Sequence, residues 1–517
     1  MNAKYHFVPG RDDIVDLFLS ARGIFGLDRE IIVNKSDVVT PPEALVDPDV
    51  VMSKLGQAEN VIIHGDYDAD GVCATAIVHR ATGFDWYIPE RSEGYGLRLP
   101  FVEQLSPGTL VFSVDCGITS ANVVNAGRQR GIDFLITDHH EPVEGMVPDG
   151  VVINPKLVSG VYDNLSGSEV ARRVVESVYG STRAGAQLSA IGTVCDIVPL
   201  LNENRAVVIE GLRSMRSNPI VPIKALCDEM RIPIEKLNER DLGWGIGPVI
   251  NAAGRMGNAA LAIEMMATTD YGYARILAGE MVALNKQRKK EMMDLVDSAM
   301  DVVEDLGGVS FVVLNNPRVG LIGLVANRIL RTTDQPAVVV ALDDDGTCKA
   351  SARAPVWFGC VNMVNHMRDV LNGGGGHNGA AGFEFHIDQI DDVKKLIAEY
   401  ASGIERPERD GPIADIYGDV DDIVAHVPKI WELAPFGFQF EQPLFRSEVE
   451  ITRVRETRSG YTMFNADGHD CIWYRSRDRT PLAGVNRARA RMTYTVAVAK
   501  MRSATGVMLE VNGLLLL

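Results

Sequence analysis

The sequence predicts an α/β protein in which a parallel-sheet domain is joined by a long helix to a smaller α/β domain, with a β-rich module at the C-terminal end. Three observations carry this. Short apolar runs alternate with helical stretches in the N-terminal half, the pattern of a parallel sheet with helical crossovers. Residues Tyr273 to Leu306 contain no proline and one glycine, Gly279, and apolar residues recur near helical spacing at Leu277, Met281, Leu284, Met292, Leu295, Ala299 and Val302. Beyond residue 412 the patterning turns to short strands separated by turn signals, as in a small barrel or sandwich.

The first strand is Val61 to His64, followed by GDYDADG and a helix from Cys73 to Arg80. Leu110 to Val114 is the second, followed by DCG and a helical stretch from Ser120. Ile132 to Ile136 is the third, followed by TDHH, and Val151 to Ile153 begins a fourth. Gly307-Gly308 stops the long helix. Strands at Val309 to Leu314 and Ala337 to Leu342 flank a helix at Leu324 to Leu330, and another helix spans Asp391 to Tyr400. ERPERDGP (405–412) reads as a linker. The segments YTMFN, CIWYRSR, MTYTVAVAKM and VMLEVNG supply the final β pattern.

Composition narrows the function classes. The 517 residues are 46% hydrophobic and 23% charged, an ordinary globular balance that excludes a disordered or collagen-like chain. No apolar run is long enough to span a bilayer. The N-terminal MNAKYHFVPGRDD has no apolar core of signal length, so the cytoplasm is the expected location. The seven cysteines are scattered without a CxxC pair, which argues against a disulfide framework or structural zinc. The net charge of −18 argues at first against a nucleic-acid partner. Charge is uneven, however. From Arg446 to Leu517 twelve Lys and Arg face seven Asp and Glu, a local +5, and the remainder carries −23.

The chemistry lies in the residues just beyond each strand. In a parallel sheet the carboxyl ends share one edge, where ligands bind. His64, Asp66, Asp68 and Asp70 close or succeed the first strand. Alternate aspartates repel unless a cation neutralises them; on its own this stretch fits an Asp-Gly turn with solvated carboxylates equally well. DxDxDG echoes a calcium loop, but position 77 is Ile where that loop needs Glu. Asp115 alone reads as a helix cap, and so does Asp196 in GTVCDIVPL. Asp138-His139-His140 offers mixed oxygen and nitrogen ligands, suited to Mn²⁺ or a similar ion. Together, His64, Asp68, Asp70, Asp115, His139 and Asp196 provide ligands for two ions bridged by a carboxylate. Such a site hydrolyses phosphoesters by clamping the oxygens of an in-line displacement.

HGDYDADG, VDCG, TDHH and GTVCDIVPL, in this order, resemble the DHH phosphoesterase superfamily. GPVINAAGRMGNA (247–259), GGGGHNGAAGF (373–383) and ELAPFGFQFEQPLF (432–445) are similar to motifs of its RecJ-type exonuclease branch, the second being the signature of the DHHA1 domain. ARGI (21–24) and PERSEGYGL (89–97) fit as well. The resemblance covers nearly the whole chain. It implies a DHH catalytic domain over 1–260, a connecting helix over 261–308, a DHHA1 domain over 309–404 and an OB-like nucleic-acid-binding barrel over 405–517.

It also implies roles. Asp68, Asp70, Asp115, His139 and Asp196 become metal ligands, with His64 a ligand in some branches. Asp66 and Asp138 support them, and His140 faces the scissile phosphate, making Asp138 and His140 the catalytic pair beside the metals. Arg255, Ser351 and Arg353 hold a terminal 5′-phosphate, for which the guanidinium fork is suited. His377 contacts substrate, Gly375 and Gly376 let the backbone approach closely, and Arg91 touches the strand near the metals. The implied activity is 5′-to-3′ hydrolysis of single-stranded DNA to 5′-mononucleotides with two divalent ions, Mn²⁺ ahead of Mg²⁺, in recombination and repair. A helicase or single-strand-binding protein is the implied protein partner, and no membrane is. Barrel contacts would come from Arg475, Arg477, Arg479, Arg487, Arg489, Arg491, Tyr461, Phe464, Trp473 and Tyr474, several of the aromatics being core instead. One departure stands out: Pro317-Arg318 precedes VGLIGLVA where these exonucleases carry Trp-His. Two other readings keep the fold: a nanoRNase or cyclic-dinucleotide phosphodiesterase, disfavoured by the additional basic module, and a non-catalytic replication scaffold, disfavoured by the intact ligand positions.

Overall fold

The computed structural model describes residues 3–35, 39–407, 413–457, 461–474, 482, 484–498 and 507–517. They form two compact units: residues 1–38 with 408–517, and residues 39–407. The expected first domain began at residue 1. In the structure β1 (Ala3–His6) instead pairs in parallel with a strand far along the chain, Ala414–Tyr417, and Arg22 forms ion pairs with Asp415 and Glu441.

In the larger unit, β2 (Asn60–His64), β3 (Asp85–Tyr87), β4 (Thr109–Val114), β5 (Asp133–Thr137) and β6 (Val151–Ile153) form an all-parallel sheet in the order β3-β2-β4-β5-β6. Four of these were legible as apolar runs; β3 is too short to stand out. Both faces are covered, so every residue of β4 is buried. Ile63, Phe112, Val114 and Leu135 pack one way against the helices Ala69–Thr82, Gly167–Tyr179 and Arg183–Cys195. Val111, Phe134 and Ile136 pack the other way against Leu97, Phe101 and Val124. The chain runs from β2 outward to β3 and returns across the sheet to β4. This reversal opens a crevice beyond the carboxyl ends of β2 and β4.

The long helix spans Tyr271–Met300, capped by Asp270, whose carboxylate accepts the Tyr273 N–H. It ends six residues before the expected Leu306, because β7 (Glu304–Asp305) leaves the helix to pair with β8 (Ser310–Asn315) around Gly307 and Gly308, both at positive φ. The second sheet runs β11-β12-β10-β9-β8-β7, with β9 (Ala337–Leu342), β10 (Thr347–Arg353), β11 (Gly373–His377) and β12 (Ala380–His386). The helix expected at Leu324 to Leu330 extends over Val319–Thr333. The glycine run of the DHHA1-like motif is itself the edge strand β11, held by β12.

In the smaller unit, β13 (Ala414–Tyr417) joins β14 (Phe445–Glu456), and β14, β15 (Thr462–Ala466), β16 (His469–Trp473), β17 (Arg487–Val498) and β18 (Val507–Leu516) close a barrel in the order β14-β15-β16-β18-β17-β14. Only the β16–β18 pair within it is parallel. This five-stranded closed barrel is OB-like. Phe464 and Trp473 are buried in its interior and offer no stacking surface, because their strand positions point inward. Tyr461 and Tyr474 are exposed and meet edge to face at 5.1 Å. Arg487 pairs with Glu450, and Arg489 and Arg491 pair with Glu448 across β14. Arg475, Arg477 and Arg479 lie outside the described residues, as does most of the expected linker, 408–412. Among the described residues no helix is long and apolar enough to cross a membrane, and all seven cysteines are free.

Behind the first sheet lies a buried charge network. Arg173 donates to Glu169 at 2.9 Å and to Glu203 at 2.5 Å, and Thr40 also donates to Glu203. Removing the guanidinium takes the nearest positive charge from two buried carboxylates and leaves Glu169 with Ser189 and Arg172, and Glu203 with Thr40. Arg173→Ala is expected to cost about 3–5 kcal/mol, read as a lower denaturant midpoint for this unit; a change within error on urea titration counts against the network's role.

Candidate metal centre and anion pocket

The turn after β2 sets the site. Asp68 is the N-cap of helix Ala69–Thr82, its Oδ1 accepting the N–H groups of Asp70 and Gly71. The Asn251 side-chain oxygen accepts the Ala69 N–H at 3.0 Å and fixes the turn from outside. Asp70 faces inward, where its two oxygens accept the N–H groups of Gly167 (2.7 Å) and Ser168 (3.1 Å) in the first turn of helix Gly167–Tyr179. The helix terminus thus favours the carboxylate. Gly167 leaves room for a second acid: a Cβ there would fall 2.2 Å from Asp115 Oδ1.

Asp115 ends β4 with φ +59°, a left-handed conformation uncommon for a residue other than glycine, anchored by its N–H on the Thr137 carbonyl. Asp138 follows β5 and is saturated. Its Oδ2 accepts the Ile118 N–H, and its Oδ1 accepts the N–H groups of His139 and His140 and contacts His140 Nδ1 at 2.8 Å. It orients the histidines and has no free lone pair directed at an ion. His139 Nε2 lies 3.3 Å from Asp115 Oδ1 and 3.5 Å from Asp196 Oδ2, while the ring also bonds the Leu165 backbone. A histidine tethered through its second nitrogen in this way is set for ligation. Asp196 is the C-cap of helix Arg183–Cys195.

Three groups of donor atoms close to within 4.8 Å: Asp70, His139 and Asp196; Asp66, Asp68 and Asp115; and Asp115, His139 and His140. Five of the six ligands proposed from the sequence are therefore together. His64 is in none of the three. Its ring lies against Tyr87 and Phe101, 3.5 Å from Cys116 Sγ. Asp66, read as a supporting residue, sits among the donors. Tyr95, not singled out in the sequence, places its hydroxyl 2.9 Å from His140 Nδ1 and donates to the Asp115 carbonyl.

The electrostatics define the kind of ligand the cluster fits. Burial, then neighbouring Asp68, raises Asp66 to about 8; burial raises Asp70 to about 6. Asp115 and Asp196 are pushed well up by burial and by Asp70 and Asp68. Burial lowers His64 to about 4 and, with the His140 charge, lowers His139 to about 3. His140 is different: burial opposes its charge, but Asp138 prevails and raises it to about 9. Asp66 Oδ1, Asp115 Oδ1 and His139 Nε2 are buried without a hydrogen-bond partner. Converging carboxylates, a neutral imidazole and orphaned donor atoms fit divalent cations of the Mn²⁺ and Mg²⁺ class.

A second cluster has the opposite sign. Arg255, on helix Gly247–Arg255, donates to the Gly320 carbonyl; burial and then Arg91 and Arg288 lower it to about 9. The Arg91 guanidinium lies 4.1 Å over the Tyr67 ring, with its Nε buried and unpartnered. Arg353, at the end of β10, donates to Ser351 Oγ and the Ala352 carbonyl. Gly323 faces both: a Cβ there would lie 2.7 Å from the Arg353 guanidinium and 3.1 Å from Ser351 Oγ. His377 is lowered by burial and by Arg353, and it ends β11 beside Gly375 and Gly376. Arg288, on the long helix, was missed; it reads as one more cation on a charged face. None of these four arginines has a carboxylate partner among the described residues, the state expected of a pocket for an anion. Arg318, in the departing Pro-Arg pair, instead binds Glu291 and the Met256 carbonyl.

The model for the DHH family, N-terminal domain, matches residues 60–193, and that for the DHHA1 domain matches 308–403. The single-stranded-DNA-specific exonuclease RecJ of Bacillus subtilis is 31% identical over 415 residues, 76% of this chain and 52% of its own length. The chain thus spans about half the length of that relative. The crystal structure of RecJ from Thermus thermophilus with Mn²⁺ matches 97% of this chain and 75% of its own with TM-score 0.81 and 25% identity; the Mg²⁺ complex of the Thermus protein matches with 0.74 and 23%. A manganese-bound exonuclease RecJ is 30% identical, with TM-score 0.62, over 72% of this chain and 97% of its own.

The Gly167–Asp115 contact gives a test that needs no substrate. Gly167→Ala is expected to weaken Mn²⁺ binding at least about tenfold, as outer-shell changes do, in calorimetric titration. Gly279→Ala, with open space around it on the long helix, should bind as the unaltered chain does and gain up to about 1 kcal/mol of stability. Equal Mn²⁺ affinity in the two variants contradicts the proposed ligand role of Asp115.

Proposed function

The chain belongs to the DHH/DHHA1 phosphoesterase superfamily, in its RecJ-type branch, and on that premise we propose that it is a divalent-cation-dependent exonuclease that hydrolyses single-stranded DNA from the 5′ end to 5′-mononucleotides. The observation that carries this is the pairing, in one unit, of a cation-demanding carboxylate cluster with a carboxylate-free arginine cluster. Tyr67 links them: it stands between Asp66 and Asp68 and lies beneath Arg91. One pocket holds the terminal phosphate and the other receives the bond to be cut.

Asp70, His139 and Asp196 would hold one ion, and Asp66, Asp68 and Asp115 a second. Mixed oxygen and nitrogen donors favour Mn²⁺, with Mg²⁺ the alternative. Bound ions supply the positive charge that offsets the phosphoryl oxygens during displacement. The chain's own groups do the rest. Asp138 keeps His140 cationic at neutral pH, so that its imidazolium pairs with a phosphate oxygen. Arg255, Arg353 and Ser351 bind the 5′-phosphate. Arg91 contacts the strand between the two pockets, and His377 approaches from the glycine strand, where Gly375 and Gly376 add no side chain. On the barrel, Tyr461 and Tyr474 offer faces for stacking. Single strands must be supplied by unwinding and held open, which makes a helicase or single-strand-binding protein the partner class, in recombination and repair in the cytoplasm.

The test uses a 5′-phosphorylated, 3′-labelled single strand with Mn²⁺. The expected product is a ladder shortening from the 5′ end, abolished by Asp138→Ala with His139→Ala and by chelation. Turnover of dinucleotides alone would support the small-substrate reading, and tight strand binding without hydrolysis would support a scaffold. Arg353→Gln should lower kcat/KM for the 5′-phosphorylated strand about 10- to 100-fold, the worth of a charge-assisted hydrogen bond, and lower it far less for a 5′-hydroxyl strand. An equal loss on both strands removes Arg353 from the terminal pocket.

A further inference from the structure

Residues Glu239 to Arg255 form one continuous helix containing a π-helical turn at Leu242–Ile246. Such turns are frequent at functional sites. Leu242, Ile246, Val249, Ile250, Ala252 and Ala253 are fully buried. The accessible positions Trp244, Pro248, Asn251 and Arg255 recur at the spacing of one helical stripe. Two members of that stripe belong to the site already described: Asn251 holds the metal-bearing turn at Ala69, and Arg255 lies in the anion pocket. At the other end the helix packs on the final turn of Arg183–Cys195. A Cβ on Gly247 would meet Cys195 Sγ at 2.3 Å, and one on Gly243 would meet Val194 at 3.2 Å. The next residue after Cys195 is Asp196.

Trp244 is 76% exposed, and it alone of the five tryptophans is exposed. Ile197, directly after Asp196, is 66% exposed and held at φ +61°, a genuine outlier for a β-branched residue. An indole in water on the stripe that carries Asn251 and Arg255 buries nothing and stabilises nothing in the free protein. The geometry points to Trp244 as a stacking platform for a nucleobase on the 3′ side of the scissile bond. This inference rests on the exonuclease reading. The order along the stripe gives the direction: Arg255 at the terminal phosphate, Asn251 at the metals, Trp244 beyond them, eleven residues from Arg255, a separation of at most about 16 Å at the α-helical rise because the π-helical turn shortens it. A strand held by its 5′-phosphate that crosses the metals and continues along this stripe reaches Trp244, and a dinucleotide ends before it.

The experiment compares a long 5′-phosphorylated oligodeoxythymidine with the matching dinucleotide. Trp244→Ala is expected to lower the ratio of kcat/KM for the long strand over the dinucleotide by about 5- to 150-fold, the range for loss of one base–aromatic stack, through KM. Trp244→Phe should restore most of it. In the Asp138→Ala, His139→Ala background the long strand should quench tryptophan emission, and the added Trp244→Phe change should remove that quenching. An unchanged ratio, or equal losses on both substrates, overturns the platform. If the unaltered chain hydrolyses neither substrate, the exonuclease reading fails, while quenching that depends on Trp244 still decides whether a strand stacks there.

Discussion

Five aspartates are brought to one edge of a sheet and taken out of water, and the rest of the larger unit is arranged around that repulsion. A carboxylate buried among carboxylates is unfavourable unless it is neutralised or hydrogen-bonded. The fold assigns different remedies to different members. Asp70 receives two N–H groups from a helix N-terminus. Asp68 caps the helix that carries Asp70. Asp138 is satisfied by four contacts and becomes a fixed support. Asp66 and Asp115 each keep an oxygen with no partner. Hydrogen bonds fully satisfy Asp138 and partly offset Asp68 and Asp70, while Asp66 and Asp115 keep an oxygen that only a cation would satisfy.

The arginine cluster poses the same problem with the sign reversed, and the two do not neutralise one another. Had Arg91 or Arg255 paired with an aspartate, both pockets would have been lost. Aromatic and backbone contacts prevent it. Arg91 is placed over the Tyr67 ring, and Arg255 donates to the Gly320 carbonyl. Gly320 and Gly323 lie on the helix Val319–Thr333, where side chains would collide with Arg255 and Arg353. The DHHA1 segment therefore shapes the anion pocket as much as it supplies residues to it.

Legibility in the sequence depends on range. Apolar strands, and the acids directly after them, are local signals, and β2, β4, β5 and β6 with Asp68, Asp70, Asp115 and His139 were readable on that basis. Asp196 was readable only beside the others, since alone it is a helix C-cap, which it also is. Interactions between distant segments left no trace. Nothing in Ala3–His6 announces a partner at Ala414–Tyr417, and nothing in Gly167 announces the Asp115 carboxylate 52 residues earlier. The strand β11 was invisible because glycine lacks the side chains by which strands are recognised. Arg288 was hidden for the opposite reason: on a helix rich in Lys and Arg, one buried-side cation resembles its solvated neighbours. His64 carries both signals: its ring lies against Tyr87 and Phe101 from other elements, outside the three donor groups, while its Nε2 is buried without a hydrogen-bond partner.

Under the proposed exonuclease activity, the helix Glu239–Arg255 would let two clusters of opposite charge act on one strand. Asn251 and Arg255 are one helical turn apart, about 6 Å, and each is fixed to a different pocket by its own hydrogen bond. The separation between the arginine cluster and the carboxylate cluster is therefore set by the backbone of a single helix and not by loops that could drift. A site that removes one nucleotide at a time needs that separation to be constant, because a drift of one internucleotide step changes the product. The buried face of this helix, from Leu242 to Ala253, would then be a functional feature as well as a packing one: it keeps the spacing fixed and leaves the accessible stripe free for the proposed substrate.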